Sequence, residues 1–482
     1  MGRSFWLACL LAWATEQQAQ PSLFSPLQQG VRGPVYCFLE DSVSSSFYIG
    51  GGLIGAYDMP LSPGIVRWDG AEFHNVGCGF EYDCLDTNTS QVLATPVRAL
   101  EHWQGALYAA GDFQQSVGVS VNFIARWDGV DSLWKPLQNG LSGPVYSLRS
   151  YPDGLYAAGW FEYANDTLEV NGLARWDGST WHKVHDLPKL DPNDINRIND
   201  LAFYQGDLYI GGEFGGTNGR LDIAKWDGTA WVDVDGGFLG VFSTVNKLEV
   251  HDGLLYVMGS FANYPPYGHP NNPGSGIVTW DGSIWNDLGG GTAGSSNASV
   301  YSNVWIRDTL YVSGRFTTIG GVPTGRIARW DGHRGCSLVP PDYFYPDIGP
   351  IGVFRDTLVV GGSFTVAGPD SINRVAKWVA GSYVDSCQVF VGVGPEHEDA
   401  QEPSGLSLHP NPAEEVVTVS RGGRPLPGVP YVVHDALGRL VGSGRTDVVS
   451  TLDVRYLVPG AYAVTVLNSQ GAVFGQGRMI KH

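Results

Sequence analysis

The chain has 482 residues and contains 29 Lys and Arg against 48 Asp and Glu, a formal net charge of −19. An acidic chain this poor in basic residues is not expected to bind nucleic acid or an anionic membrane surface. Hydrophobic residues make up 43% of the chain, which excludes a disordered protein. The abundance of glycine (66 residues) and of aromatic residues (12%) is typical of an all-β protein with many tight turns.

Residues 1–19 have the pattern of a secretory signal peptide. Arg3 supplies the positive end, Phe5 to Ala14 form a short apolar core, and the expected cleavage position follows Ala19. The core is too short to span a bilayer, and no later stretch has the length of apolar sequence that a transmembrane helix needs. The sequence therefore predicts an exported protein without a transmembrane segment.

A repeat of roughly 50 residues fills most of the chain. The string Ile-Ala-Arg-Trp-Asp-Gly at 124–129 occurs in seven copies, the last of them decayed, and a string of the type apolar-Tyr-x-x-Gly-x-Phe precedes each copy, in looser form before the first and the last. The repeated tryptophans are Trp68, Trp127, Trp176, Trp226, Trp280, Trp330 and Trp378.

Each period divides into four short extended runs. In the second copy these are 97–101, 106–111, 123–127 and 133–137, which alternate in polarity, carry β-branched or aromatic residues and are separated by turn residues. The Asp-Gly pair after the tryptophan predicts a tight hairpin turn, because both residues tolerate positive φ. Four antiparallel strands make one propeller blade, so residues 20–391 are predicted to form a seven-bladed β-propeller.

The N-terminal run predicts how the ring closes. Residues 23–30 are similar to residues 133–140, which form the fourth run of the second copy and the turn after it. The N-terminal run is therefore an extra outer strand with no blade before it, and we expect it to complete the last blade.

The lengths of the connections between the predicted strands distinguish two faces of the predicted propeller. The turns within hairpins are short, whereas the second-to-third and the repeat-to-repeat connections are long and irregular, and these emerge on one side, here called the long-loop face. Binding residues often lie on loops that a rigid scaffold carries. Tyr264, Tyr267 and His269, in a proline-stiffened loop, and Glu81 and Asp83, in another, are the candidate ligand-binding residues; packing of the tyrosines over their own loop is the alternative.

The sequence contains no complete motif for a metal site or for a catalytic centre. The oxygen-bearing residues at 191–196 have spacings that suit calcium, but the glycine and the distal glutamate of an EF-hand are missing, and a solvated turn is the alternative. No known nucleophile or zinc motif is present, so no cofactor, metal ligand or catalytic residue is predicted.

Six of the seven positions before the repeated tryptophan are basic. A residue repeated in every blade suggests a scaffold role, with its stem packed between blades and its charged end paired with an acid from a neighbour. A ring that catches an anion is the alternative. The six residues are Arg67, Arg126, Arg175, Lys225, Arg329 and Lys377.

Five cysteines remain after the signal peptide. Cys78 and Cys84 flank a five-residue loop and are predicted to form a disulfide, since pairing is expected in an exported protein. The pairing of Cys37, Cys336 and Cys387 stays open.

The repeat resembles those of kelch-like propellers and of the Trp-Asp-Gly repeats in cell-surface proteins, over roughly residues 22–391. The resemblance implies the propeller fold. It does not imply one function, because propellers include both enzymes and binding proteins.

The composition changes near residue 392. Residues 392–405 are polar, acidic and bounded by prolines, as in a linker. Residues 406–482 contain about seven alternating runs, which predicts a small Ig-like β-sandwich.

This C-terminal segment resembles the type A sorting domain of proteins that the type IX secretion system of Bacteroidota exports. The matching residues lie in four strings, at 408–413, 435–439, 457–462 and 480–481. The resemblance implies the type IX machinery as a partner, a secreted or outer-membrane-surface location, and attachment to lipopolysaccharide or release after the sorting domain is removed. The sorting-motif residues are Pro410, Asn411, Pro412, Gly438, Gly460, Tyr462 and Lys481.

Together these patterns favour a surface or secreted propeller that binds a glycan or a protein partner through its long-loop face without catalysis. Two alternatives stay open. One is a secreted polysaccharide-active enzyme with its site at the mouth of the propeller channel, and the other is a structural surface protein.

Overall fold

The computed structural model describes residues 22–57, 59–81, 95–187, 195–216, 219–235, 243–261, 274–294, 298–307, 309–330, 335–379, 406–409, 415–421, 424–435, 440–467 and 473–481. Within these ranges the regular structure is entirely β-strand, which confirms the all-β prediction. No helix in this part of the chain is long and apolar enough to cross a membrane.

The N-terminal run and the first two repeats contain thirteen strands. They are β1 (Phe24–Pro26), β2 (Val31–Arg32), β3 (Val35–Asp41), β4 (Ser46–Gly51), β5 (Gly55–Ala56), β6 (Ile65–Trp68), β7 (Phe73–Asn75), β8 (Val97–Trp103), β9 (Ala106–Gly111), β10 (Gln115–Ser116), β11 (Val119–Ser120), β12 (Ile124–Asp128) and β13 (Leu133–Pro136).

The next three repeats continue the pattern. Their strands are β14 (Val145–Tyr151), β15 (Gly154–Gly159), β16 (Tyr163–Ala164), β17 (Leu168–Glu169), β18 (Leu173–Trp176), β19 (Trp181–Lys183), β20 (Arg197–Tyr204), β21 (Asp207–Gly216), β22 (Gly219–Trp226), β23 (Trp231–Asp233), β24 (Thr244–His251), β25 (Leu254–Ser260), β26 (Ile277–Trp280) and β27 (Trp285–Asp287).

The last two repeats and the C-terminal region follow. The repeats contain β28 (Thr292–Ala293), β29 (Ser299–Ile306), β30 (Thr309–Arg315), β31 (Thr318–Ile319), β32 (Val322–Pro323), β33 (Ile327–Trp330), β34 (Gly335–Ser337), β35 (Phe344–Tyr345), β36 (Ile348–Phe354), β37 (Thr357–Gly362), β38 (Val366–Ala367), β39 (Asp370–Ser371) and β40 (Val375–Trp378). The C-terminal region contains β41 (Leu406–His409), β42 (Val416–Arg421), β43 (Arg424–Pro425), β44 (Pro430–Asp435), β45 (Leu440–Arg445), β46 (Thr451–Asp453), β47 (Gly460–Leu467) and β48 (Val473–Lys481).

In the described part of the repeat region, the main strands form seven four-stranded sheets. Six of them follow chain order: β3-β4-β6-β7, β8-β9-β12-β13, β14-β15-β18-β19, β20-β21-β22-β23, β24-β25-β26-β27 and β29-β30-β33-β34. All neighbouring strands in the sheets are antiparallel, and the short strands β10, β11, β16, β17, β31, β32, β38 and β39 form small hairpins in the second-to-third connections. These hairpins add to the long-loop face.

The seventh sheet joins the two ends of the repeat region. Its order is β36-β37-β40-β1, and β1 pairs with β40 so that Phe24 lies opposite Trp378. This pairing confirms the expectation that the N-terminal run completes the last repeat.

The first strands of the sheets contact one another in succession. Contacts link β3 to β8, β8 to β14, β14 to β20, β20 to β24, β24 to β29 and β29 to β36, and β36 also contacts β3. The succession of sheets therefore returns to its starting point.

Aromatic pairs join the third and fourth strands of the sheets. In six sheets the repeated tryptophan packs against an aromatic ring of the fourth strand, with centroids 4.8 to 5.6 Å apart. Several fourth-strand tryptophans also donate a hydrogen bond to the preceding sheet, as Trp134 Nε1 does to the carbonyl of Val76 (3.1 Å) and Trp181 Nε1 to that of Leu137 (3.0 Å). The tryptophans thus connect neighbouring sheets.

The turn after the repeated tryptophan differs from the prediction. Its glycine has positive φ, as at Gly178 (103°), but its aspartate does not. Instead the carboxylate of Asp177 accepts hydrogen bonds from the backbone N–H groups of Ser179 and Thr180, both 2.8 Å. Aspartate is favoured here because its side chain caps the turn, whereas positive φ at both positions occurs in first hairpins such as Asp252-Gly253.

The C-terminal region contains two further four-stranded sheets among its described residues. One has the order β41-β42-β43 with β46 paired to β42, and the other has the order β45-β44-β47-β48. Side chains of both sheets form one apolar core, including Val417 and Val419 from one sheet and Val433 and Val464 from the other. Two sheets around one core agree with the layered arrangement predicted for residues 406–482.

Candidate functional site

A β-bulge lies near the start of every first strand. The pairing of first and second strands shifts register between Val35 and Cys37 in the first sheet, and equivalent shifts occur in the other six. A bulge changes the direction of the side chain next to it. The bulge residues are Tyr36, Arg98, Tyr146, Asn199, Asn246 and Tyr301, with Gly349 at the equivalent position of the seventh sheet.

A glycine of the second strand makes room for each bulge. A Cβ atom added to Gly159 would lie 2.2 Å from the carbonyl oxygen of Pro144, and the corresponding distance at Gly111, to Pro96, is 2.0 Å. Real Cβ atoms do not approach a carbonyl this closely, so only glycine fits. The repeated glycine of the sequence is thus explained by the geometry of the bulge.

The first strands of six of the seven sheets, all but β20, line a cavity of about 480 Å³. Tyr36, Arg98, Tyr146 and Tyr301 line it at the end where the first strands begin, which is the end that faces the long loops. We call these four residues the mouth. Tyr36 and Tyr301 are 42% and 39% exposed, so aromatic surface is available to a ligand.

Arginine and tyrosine side chains alternate along one side of the mouth. The guanidinium of Arg98 lies 5.6 Å from the ring centroid of Tyr36 and 5.5 Å from that of Tyr146, and the guanidinium of Arg197 lies 5.6 Å from Tyr146. Asp112 fixes Arg98 by accepting from Nε and Nη2 at 2.6 and 2.7 Å. Cation–π contacts and a bidentate ion pair therefore hold the row in place.

Asp200 is the centre of a buried polar network deeper in the cavity wall. Arg149 donates to both carboxylate oxygens of Asp200, at 3.1 and 2.8 Å, and Ser147 Oγ donates at 2.6 Å. The backbone N–H groups of Leu201 and Leu248 donate at 3.0 and 3.2 Å. Burial raises the pKa of Asp200, but the charges of Arg149 and Lys247 and these hydrogen bonds outweigh it and hold the pKa at about 2.

Two glutamates line the same cavity, and their pKa values are shifted upwards, in the direction opposite to that of Asp200. Burial raises the pKa of Glu101 and of Glu249 above the usual value of a glutamate. Glu249 lies 3.6 Å from Arg149, and Glu101 accepts a hydrogen bond from Ser150 Oγ at 3.1 Å. Carboxyl groups with raised pKa values can donate a proton, which is the chemistry that an acid catalyst needs.

The cavity also contains the thiol of Cys37, the free cysteine among the described residues. Burial raises its pKa to about 12. The thiol is therefore protonated at neutral pH and is not an activated nucleophile.

Four of the five candidate ligand-binding residues, Tyr264, Tyr267, His269 and Asp83, lie outside the described residues. Glu81 is described, and its carboxylate accepts hydrogen bonds from the backbone N–H groups of Gln114 and Gln115. This contact ties Glu81 to the hairpin of the second repeat, and its role in ligand binding stays a prediction.

Two of the repeated basic residues pair with an acid of their own sheet, not with one from a neighbour. Lys225 Nζ lies 3.1 Å from Asp207, and Arg175 Nε lies 3.8 Å from Asp153. Both acids belong to the first hairpin turn of the same sheet, so the pairing stays within one sheet.

The sorting-motif residues are described only in part. Gly460 lies opposite Lys481 in the pairing of β47 with β48, and Tyr462 donates to the carbonyl of Val458 at 2.6 Å. Pro410, Asn411, Pro412 and Gly438 lie outside the described residues.

The cysteine and calcium predictions also involve residues that lie outside the described ranges. Cys78 and Cys336 are both disulfide-bonded. Cys84, the predicted partner of Cys78, is outside the described residues, so the Cys78–Cys84 pair stays a prediction. Residues 191–194 of the calcium candidate are also outside, and in the ranges that the structure covers no three metal-ligating side chains converge.

A second cavity, of about 360 Å³, lies at the opposite end of the sheets, between the third and the fourth. Its wall includes Asp153, Asp207 and Asp227 and the ring of Trp226, on which His185 stacks at 3.8 Å. Short turns form this cavity, whereas the long loops surround the mouth.

The sequence prediction missed the mouth. Its residues follow directly after the Val or Ile that begins the first run of each repeat, and that position varies between Tyr, Arg, Asn and Gly. A variable position beside a regular apolar one is the signal that could have found it.

No protein-family model matches the chain, and no curated protein matches it. Similar solved structures include the extracellular domain of a one-component system from B. thetaiotaomicron (11% identity, TM-score 0.46) and PorZ, a surface component of the type-IX secretion system of Porphyromonas gingivalis (12%, 0.34). The alignments cover 96% and 93% of this chain and 59% and 66% of those chains. The designed protein Ika8 has 14% identity and a TM-score of 0.35, with 80% of this chain and 96% of Ika8 covered. The chain thus spans less than two thirds of these natural proteins, and TM-scores below 0.5 do not establish a common fold.

Proposed function

We propose that the seven sheets are the blades of a kelch-like, seven-bladed β-propeller and that the cavity lies on its axis. Three observations support this: the seven four-stranded antiparallel sheets, the contacts of the first strands that return from β36 to β3, and the strand β1 that joins the ends. A closed ring leaves no long sheet edge unpaired, which an exported protein needs to avoid aggregation.

The function that the geometry supports best is binding of a glycan or a protein partner at the mouth, on the long-loop face, without catalysis. The observation that carries it is the row in which Tyr36, Arg98, Tyr146 and Arg197 alternate beside the cavity. Its planar groups are held in place before a ligand arrives, so little conformational entropy is lost on binding. Aromatic and arginine side chains of this kind dominate the energetics of binding sites.

A glycan array and a surface-protein extract, probed with the full mature chain, test this function. The double variant Tyr36→Ala/Tyr146→Ala should lose most of the signal, because it removes two stacking surfaces. Ile284→Ala is the control, since Ile284 is an exposed apolar residue (57%) in the short turn after Trp280, at the opposite end of the sheets from the mouth. Binding that the double variant retains in full would contradict the proposal, and the absence of any ligand would favour a structural surface protein.

One observation favours a second candidate, a polysaccharide-active enzyme. Glu101 and Glu249 line one cavity and both have raised pKa values, as a general acid requires. If this function is correct, the wild-type chain degrades a polysaccharide and the Glu101→Gln and Glu249→Gln variants lose that activity. Asp200 is not a candidate acid, because its low pKa keeps it ionised.

We further propose that the C-terminal region is a type A sorting domain and that the chain is exported through the type IX machinery to the cell surface or the medium. The motif strings at 408–413, 435–439, 457–462 and 480–481 support this, together with the signal-peptide pattern of residues 1–19. Residues 392–405 would then be the linker, and attachment to lipopolysaccharide would follow removal of the sorting domain.

A further inference from the structure

Among the described residues, Lys247 is a cavity cation whose charge faces Asp200 at 3.9 Å but whose ammonium donates no hydrogen bond to the protein. Lys247 lies on β24, one residue beyond the bulge residue Asn246, and its side chain lines the cavity and is 33% exposed. Its position along the strand places it one step deeper than the mouth.

The other cavity cations already have full partners. Asp112 binds Arg98 in bidentate fashion, and Arg149 is held by both oxygens of Asp200 and by the carbonyl of Leu248 at 3.0 Å. These pairs neutralise both guanidinium groups, and neither needs a ligand.

Lys247 differs from both arginines. Its nearest acid is Asp200, at 3.9 Å, which exceeds hydrogen-bond distance, and the oxygens of Asp200 already accept five hydrogen bonds from other groups. Among the described residues the ammonium of Lys247 therefore has no hydrogen-bond acceptor. An ammonium carries three donors, so this position is prepared for an anionic group from outside.

We propose that the cavity binds an acidic glycan, with a sugar ring against Tyr36 and Tyr146 and the sugar carboxylate on Lys247. This inference rests on the proposed binding function of the mouth. The flat, apolar faces of a pyranose ring suit tyrosine rings, and a cavity of about 480 Å³ is in the size range of small-ligand sites. Glu249, which lies two residues beyond Lys247 on the same strand, limits how deep a carboxylate can go.

The inference requires a negative charge on the ligand, and this requirement distinguishes it from stacking of a sugar on the tyrosines alone. A uronic acid and its methyl ester present the same ring, but only the acid can pair with an ammonium. A charge-assisted hydrogen bond of this kind corresponds to a difference of about tenfold or more in Kd. Wild-type protein should therefore prefer the acid by at least that factor.

Calorimetric titration of the full mature chain with galacturonate, mannuronate and glucuronate tetramers, each as acid and as methyl ester, tests the inference. Lys247→Met, which keeps an unbranched side chain and removes the charge, should abolish the preference for the acid. Lys247→Arg should keep it. Lys135→Met is the control, because Lys135 pairs with Asp131 on an exposed surface away from the cavity.

Equal binding of acid and ester, or an acid preference that survives in Lys247→Met, would overturn the inference. Equal binding of acid and ester, with both weakened to the same extent by Tyr36→Ala, would overturn it while leaving the proposed binding function intact. Binding of no uronate in either form would also overturn it. If a tetrapeptide with a free C-terminal carboxylate then bound in a Lys247-dependent manner, the ligand would be a peptide rather than a glycan.

Discussion

At the scale of single residues, the glycine opposite each bulge explains most directly why the mouth exists. Gly159 lets the carbonyl of Pro144 approach, which allows the bulge that turns Tyr146 towards the cavity. The structure identifies the atom that approaches each of these glycines, a carbonyl oxygen of the first strand or of the residue before it. The bulge itself could not be predicted, because it depends on pairing between two strands and not on the composition of either.

Replacing Gly159 with alanine should destabilise the protein by about 1 to 3 kcal/mol, since the new methyl group would overlap a backbone carbonyl that cannot move freely. The midpoint of urea unfolding, followed by tryptophan fluorescence, measures the effect. Gly129→Ala is the matched control, because the nearest atom to a Cβ at that position is 3.6 Å away and its φ is not positive. Equal midpoints for the two variants would contradict this explanation.

Asp200→Asn should reduce stability at pH 7 by about 3 to 5 kcal/mol, because it leaves the charge of Arg149 without its partner. The effect should depend on pH. The pKa of Asp200 is about 2 in the folded chain and about 3.9 in an unfolded one, so its contribution is complete above roughly pH 4 and is lost as the pH falls through about 2.

Thermal unfolding of wild type and Asp200→Asn between pH 2 and pH 7 measures this dependence. The difference in Tm should be constant above about pH 4 and shrink below it. A difference that stays the same over the whole range would show that the carboxylate charge is not what stabilises the network. Asp131→Asn, at an exposed ion pair, should change the Tm little at any pH.

At the scale of strands and sheets, the alternation of polarity is sufficient to locate the main strands. In the second repeat the predicted runs 97–101, 106–111, 123–127 and 133–137 correspond to β8, β9, β12 and β13, with ends that differ by two residues at most. The small hairpins of the connections, such as β10 with β11, were not predicted. They contain two residues per strand, too few for alternation to give a signal.

Strand β1 joins the ends of the repeat region, so a change in it should weaken the last sheet selectively. Phe24 is fully buried and packs on Trp378 and Phe344, with centroids 5.1 and 5.2 Å away. Phe24→Ala should therefore cost about 3 to 5 kcal/mol. Compared with wild type, the variant should accelerate backbone amide hydrogen exchange more in β36, β37 and β40 than in β14 and β15.

Val43→Ala is the control for this experiment, because Val43 is almost completely exposed (97%). Uniformly faster exchange in all sheets would indicate that β1 stabilises the whole ring and not one sheet. Unchanged exchange would contradict the role of β1 as the strand that joins the ends.

At the scale of the whole molecule, the repeat and the C-terminal motif are separate sources of prediction. The repeat predicted the order of the sheets, because each copy contains the same alternating runs and turn residues. It could not predict the cavity lining, since Arg149 and Lys247 come from different repeats and occupy positions whose residue differs between copies. The chemical character of the cavity lining therefore comes from the departures from the repeat.

Export should depend on the C-terminal region. In a Bacteroidota host with type IX machinery, a chain without residues 406–482 should accumulate in the periplasm, whereas the full chain should reach the surface or the medium. Cell fractionation and surface labelling measure this. Because the deleted region has its own apolar core, the circular-dichroism spectrum of the truncated chain serves as the folding control. Normal surface display of the truncated chain would contradict the sorting role.

A crystal structure of the full mature chain with the strongest ligand from the array tests the central claim most directly. The proposed function predicts seven blades around one axis and ligand density at the mouth, against Tyr36, Tyr146 and Tyr301. Ligand density in the second cavity, beside Trp226, would contradict the account, and so would a ring with a different number of blades.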